Sequence, residues 1–230
     1  MVRIVDLTQE VYTGMPVYPG HLRTVLFEWV SHEEMRKLLG TGFSYRTCGI
    51  MISDHGGTHV DSIEHISTKP GALTIDKIPL EWFYGQAVCL DVSHVKPKTY
   101  ITKKDLTDSS AKHKLQIEQG DTVLLYTGTT KKLGAWEYLT EYPGLDYEAA
   151  SWLAEKGARN IGIDAPSIDN PIDKTYPAHR VCGDKDILNT ENMTNLEQVV
   201  GKRFKIALFP LRLRNCTGSP VRAVAVLEEA

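Results

Sequence analysis

The chain has 230 residues, 42% of them hydrophobic and 24% charged, a globular composition that excludes a largely disordered chain and is long enough to bury a core in one domain. A net charge of -3 without a basic cluster argues against a nucleic-acid or anionic-membrane partner. No apolar run approaches the roughly 18 residues needed to span a bilayer, and the start of the chain lacks an export-signal pattern, so a soluble cytoplasmic protein is expected.

In chain order, short runs rich in Val, Ile, Leu and aromatics predict strands over residues 2–7, 24–30, 45–52, 86–92, 122–127, 160–163, 204–209 and 221–227. Helical signals are fewer. A short helix is expected over 32–39, and Thr102 can cap another through about residue 111, with Asp105 in its first turn. A shorter one is expected over 134–140, and Asp146 can cap 147–156, where Gly157 supplies the stop. The pattern predicts an α/β protein with a mixed β-sheet and few helices. Gly-x-Gly-x-x-Gly, Walker and Gly-x-Ser-x-Gly motifs are absent, which leaves nucleotide binding and a serine nucleophile without support. Cys48, Cys89, Cys182 and Cys216 form no Cys-x-x-Cys pair and are expected to be buried, inert thiols, with Cys182 near the pocket.

The densest chemistry lies at His55-Gly56-Gly57-Thr58-His59-Val60-Asp61-Ser62-Ile63-Glu64-His65, which holds three of the eight histidines and two carboxylates. Imidazole and carboxylate together are the usual ligands of a divalent metal. The paired glycines disfavour a helix, so a turn leading into a strand is expected. On that strand His59 and Asp61 would share a face, with His55 swung back over it and His65 just beyond. A mononuclear site could be completed from this segment alone. Further along, the apolar strand at 160–163 empties into a loop carrying Asp164, Ser167 and Asp169, residues that read first as turn-formers and only second as catalytic groups. His179 and Glu191, taken alone, read as surface or capping residues.

The pattern His55-x-Gly-Thr-His59-x-Asp61-x-x-x-His65 resembles the signature of the cyclase family of metal-dependent hydrolases, whose best-known members are bacterial kynurenine formamidases. The resemblance extends to Met15-Pro16-Val17-Tyr18-Pro19-Gly20, Gly162-Ile163-Asp164-Ala165-Pro166-Ser167-Ile168-Asp169, Glu191-Asn192-Met193-Thr194-Asn195-Leu196 and Gly218-Ser219-Pro220-Val221-Arg222-Ala223. It implies a compact single-domain β/β/α fold over residues 1–230 and a homodimer or higher oligomer such as a tetramer. It also implies one or two divalent ions, Zn or Mn, held by His55, His59, Asp61, His179 and Glu191. His65 becomes the general acid/base and Tyr18 the aromatic that packs on the substrate. Three positions depart from the formamidase pattern: Ser62-Ile63 follows the signature Asp in place of Ala-Pro, Tyr18 stands where Trp is common, and Glu64, expected to face solvent, adjoins His65.

The implied reaction is hydrolysis of an amide, such as the aryl formamide N-formylkynurenine, to an amine and formate by metal-activated water. Alternatives with the same ligands are ring-opening of a cyclic amide or lactone and metal-dependent lyase or dehydratase chemistry. A non-catalytic metal-binding protein is the alternative from a different class.

Overall fold

The computed structural model describes residues 1–228. Thirteen strands run in chain order as β1 (Val2–Asp6), β2 (Val25–Val30), β3 (Thr47–Met51), β4 (His59–Asp61), β5 (Tyr84–Asp91), β6 (Tyr100–Ile101), β7 (Thr122–Tyr126), β8 (Gly144–Leu145), β9 (Asn160–Ile163), β10 (Leu188–Glu191), β11 (Arg203–Ala207), β12 (Gly218–Pro220) and β13 (Val224–Glu228). The helices are α1 (His32–Leu39), α2 (Lys103–His113), α3 (Tyr147–Glu155) and α4 (Pro177–Lys185). Nine strands make one mixed sheet in the order β1-β13-β11-β5-β7-β9-β10-β4-β12, with β5, β7, β9 and β10 parallel and the remainder antiparallel to their neighbours. The expected α/β class with a mixed sheet is what the chain forms.

The central strands are buried on both faces, which is why they read as continuous apolar runs. Val88, Leu90, Val123 and Leu125 pack with Leu106 of α2, Ala149 and Leu153 of α3, and Val181 and Cys182 of α4. The alternate residues Ala87, Cys89 and Leu124 face a second core. That core also takes Val5 from β1 and Val60 from β4, near opposite ends of the strand order, so the sheet curls over it.

Three helices start at side-chain caps, and two of these, Thr102 and Asp146, are the expected ones. Ser31 and Thr102 form capping boxes with Glu34 and Asp105, and the Asp146 carboxylate accepts from Ala149 N at 2.7 Å. The stretch 134–140 differs: it forms only a 3-10 turn at Trp136–Leu139. The helix α4 was not legible because its cap is not local. Tyr176 at its N-cap supplies no side-chain bond, and the Asp169 carboxylate accepts instead from Ala178 N at 2.7 Å and His179 N at 3.1 Å. Pro177 at the first helical position was the available signal.

The β2–β3 hairpin and α1 stand outside the main sheet. Phe27, Trp29, Leu38, Phe43 and Ile50 are all exposed there, and so is Cys48. This corrects the expectation of four buried thiols: Cys89 and Cys182 are buried, whereas Cys216 is only partly covered. Cys182 belongs to the core beneath α4.

Candidate metal centre and its cleft

The glycine turn delivers β4 as its chemistry requires. Gly57 has φ 63°, a conformation glycine adopts without a Cβ clash, and the chain reverses there from His55 into the strand. The strand β4 lies between β10 and β12, with Glu191 opposite His59 and Asn189 opposite Asp61. Strand alternation then puts His59, Asp61, Asn189 and Glu191 on one face and Val60 and Thr190 on the other. Across β12, a Cβ on Gly218 would come within 2.6 Å of His55 Cε1. Glycine at that position lets the His55 ring lie down over the strands.

The side chains converge on Asp61. His55 Nδ1 lies 2.7 Å from its Oδ1, and His59 Nε2 lies 3.3 Å from the same oxygen. His179 Nε2 approaches Asp61 Oδ2 at 3.6 Å and Glu191 Oε1 at 3.4 Å, while His59 Nε2 is 3.7 Å from Glu191 Oε2. All five are buried. The two distant residues that looked unremarkable in sequence are therefore brought to the first segment, His179 by α4 and Glu191 by β10.

Each imidazole has its outer nitrogen engaged. His55 Nε2 meets Thr217 Oγ1 at 2.9 Å, and that hydroxyl donates to Asp54 Oδ2 at 3.2 Å. His59 Nδ1 donates to the Gly57 carbonyl at 2.9 Å. His179 Nδ1 donates to Asp169 Oδ2 at 2.5 Å. Such partners fix ring orientation and leave the inward nitrogen to take a proton or a metal, the arrangement of metal-ligating histidines. Two groups of side chains are spaced to hold a metal ion: His55, Asp61 and His65, and His59, Asp61 and Glu191, each with its ligand atoms within 4.8 Å of one another. They share Asp61. Nitrogen and carboxylate oxygen donors of this kind suit divalent Zn, Mn, Fe or Co, so the residues fit a divalent ion.

The electrostatics favour positive charge. Burial opposes protonation of His59, yet the Asp61 and Glu191 carboxylates outweigh it and lift its pKa to about 9. His179 is likewise raised against its burial, by Asp169 and Asp61. Asp61 is held well below its ordinary value despite burial by the histidines around it, whereas burial and the Asp61 charge push Glu191 up. His65 moves the other way: burial and the neighbouring imidazoles lower it to about 4, against the pull of Asp61. Its ring lies 4.0 Å, centroid to centroid, from that of His55.

A pH dependence follows. Unfolded, His59 titrates near 6.5; folded, near 9, so its contribution is fully present below 6.5 and is lost as pH rises through 9. The chelator-stripped chain is therefore expected to melt at a lower temperature at pH 9 than at pH 6.5, and calorimetry at both values checks this. A divalent ion competes for the same nitrogen, so ion affinity should rise over that window. Equal midpoints at both pH values would contradict the charge assignment.

The site opens into a cleft of about 310 Å³ lined in part by Tyr18, His65, Ser167, Tyr176 and Arg180. Tyr18 is where the sequence reading put it, its hydroxyl 3.5 Å from that of Tyr176. Burial and Tyr176 raise its pKa. Glu64 is exposed, as expected, and Ser62 and Ile63 are buried, with Ile63 in the core beneath the site. Asp164 is a structural cap, accepting from Thr127 N and Gly128 N at 2.8 Å each. Asp169 orients His179, a role its turn-rich surroundings concealed. Sequence reasoning missed His21, whose ring lies 5.5 Å from that of His55, and Asn189. A polar residue two positions before Glu191 on a buried strand was the one signal for Asn189.

Comparison with known proteins agrees with this geometry. Residues 5–170 match the family described as "Putative cyclase". The kynurenine formamidase of Bacillus mycoides (strain KBAB4) is 34% identical over 220 residues, covering 96% of this chain and 95% of its own. That of Sphingopyxis alaskensis is 28% identical over 224 residues, covering 97% and 98%. Among solved structures, isatin hydrolase A from Labrenzia aggregata, bound to benzyl benzoate, superposes with a TM-score of 0.87 at 27% identity, covering 99% of this chain and 94% of that one. By its sequence match, its fold and its histidine signature, this chain belongs to the cyclase family.

Proposed function

We propose that the chain hydrolyses the amide of an aryl formamide such as N-formylkynurenine, using one or two divalent ions, Zn or Mn, held among His55, His59, Asp61, His179 and Glu191. The observation that carries this is the set of three imidazoles with tied outer nitrogens and inner nitrogens turned on Asp61 and Glu191. The protein is an enzyme, an amidohydrolase acting on non-peptide C–N bonds. When bound, the ion supplies Lewis acidity that polarises a carbonyl and lowers the pKa of water toward about 7.

The chain's own residues do the rest. His65, neutral at working pH, accepts a proton from water through an imidazole nitrogen and returns it to the departing amine. Tyr18 packs against the substrate ring. Arg180, exposed on the rim, is the one Lys or Arg among the described residues that lines the cleft, and it suits a substrate bearing a carboxylate, as N-formylkynurenine does. A second reading, ring-opening of a cyclic amide, is favoured by the overlap with isatin hydrolase A. Parallel assays of formate release and of cyclic-amide opening separate the two. Turnover should vanish with chelator and return with Zn or Mn; chelator-resistant turnover would sink both readings.

Residues 1–230 form one hydrolase domain in this proposal, working in the cytoplasm as a homodimer or tetramer. The exposed Phe27, Trp29 and Ile50 of the outlying hairpin support self-association, since such apolar clusters mark interaction surfaces. Light scattering checks it: Trp29→Glu should lower the particle mass, and a monomeric native chain would refute it.

A further inference from the structure

Asn189 lies on β10 directly opposite Asp61 and is buried. Its amide Nδ2 is 2.9 Å from Asp61 Oδ2, 2.8 Å from Glu191 Oε1 and 3.2 Å from His179 Nε2. Two of these neighbours are carboxylate oxygens, which only accept. The donor end of the amide must therefore face them, and its Oδ1 is left buried with no hydrogen-bond partner. An orphaned carbonyl costs on the order of 1–3 kcal/mol, a cost offset here by donating to two carboxylates at once.

We propose that the Asn189 amide fills the place of a second cation between Asp61, Glu191 and His179, so that the site takes one divalent ion per chain. This rests on the hydrolase reading above and fixes what it left open, the number of ions. An ion bound by the same three atoms would need them at about 2.0–2.2 Å and would collide with the N–H groups already among them. The remaining acceptors, Asp61 Oδ1, His55 Nδ1, His59 Nε2 and Glu191 Oε2, are not engaged by Asn189; they would hold the single ion, and His179, tied to Asn189 and Asp169, would lie outside its shell. Asn189 thus acts as a built-in neutral donor that ties down the far half of the ligand set. Asp61 Oδ2 and Glu191 Oε1 are held in place whether or not an ion is present.

The experiment counts ions. The full chain is saturated with excess ZnCl2, or separately MnCl2, desalted, and analysed by elemental mass spectrometry against protein concentration. One ion per chain is expected for the native protein and two for Asn189→Asp, in which a carboxylate replaces the donor. Two ions in the native protein overturn the proposal and leave the hydrolase reading intact. No retained ion overturns both. A folded Asn189→Asp that still holds one ion also overturns it, since the amide would then not be what excludes the second. If that variant fails to fold, the native count, with anomalous scattering at the metal edge of a crystal, still decides.

Discussion

Asp61→Ala is expected to lose its bound ion and to lower kcat/KM by at least about 10³-fold, the scale of removing a Lewis acid worth several kcal/mol. Among the described residues Asp61 is the one carboxylate in contact with all three ligand-type imidazoles, His55, His59 and His179. Its removal also leaves the buried His59 without its main counter-charge and His179 with Asp169 and Glu191 alone, which lowers the pKa of both. Elemental analysis of the purified variant, alongside its kinetics, is the measurement. A folded Asp61→Ala that keeps its ion and its rate would remove Asp61 from the ligand set.

His65→Ala is expected to keep the ion and still lose turnover by about 10²–10⁴-fold, the usual worth of a positioned general base. The site supplies a reason for the difference. His55, His59 and His179 each carry a hydrogen bond that aims one nitrogen inward, whereas among the described residues no such bond orients His65, whose ring lies tilted by 36° over that of His55. An imidazole with freedom at both nitrogens suits proton transfer better than coordination. Because His65 also lies within reach of a group formed by His55 and Asp61, the ion count is the deciding number. Loss of ion from His65→Ala equal to that from His59→Ala would make it a ligand.

The near half of the site was legible because its chemistry is local. A glycine turn followed by a strand with period two sends His59 and Asp61 to one face, as Gly57 and β4 do. The far half was legible only through family resemblance, since His179 and Glu191 reach the site through the sheet order and through a helix whose cap lies on a remote loop. Asp169 illustrates the limit: a carboxylate in a Pro-rich loop satisfies turn chemistry, and nothing local reveals that it holds a histidine ring. The central strands, apolar throughout, were easy to find, while the short β4, β6, β8 and β12 carry too few residues for a pattern to emerge. Asn189 was hidden for a related reason, because which face of β10 it takes depends on its register with β4.

That register separates two kinds of selection. Val60 points into the core and Thr190 Oγ1 accepts from Asn160 Nδ2 at 2.8 Å, while the residues on either side of them share the face of the ligand cluster. A substitution at position 59, 61, 189 or 191 can therefore alter charge, ion number or substrate without touching the side chains that hold these strands in the curled sheet. A substitution at 60 or 190 does the reverse. Along four residues of one strand and three of another, the pleat places the charged groups that set what the protein does and the side chains that tie these strands into the sheet on opposite sides.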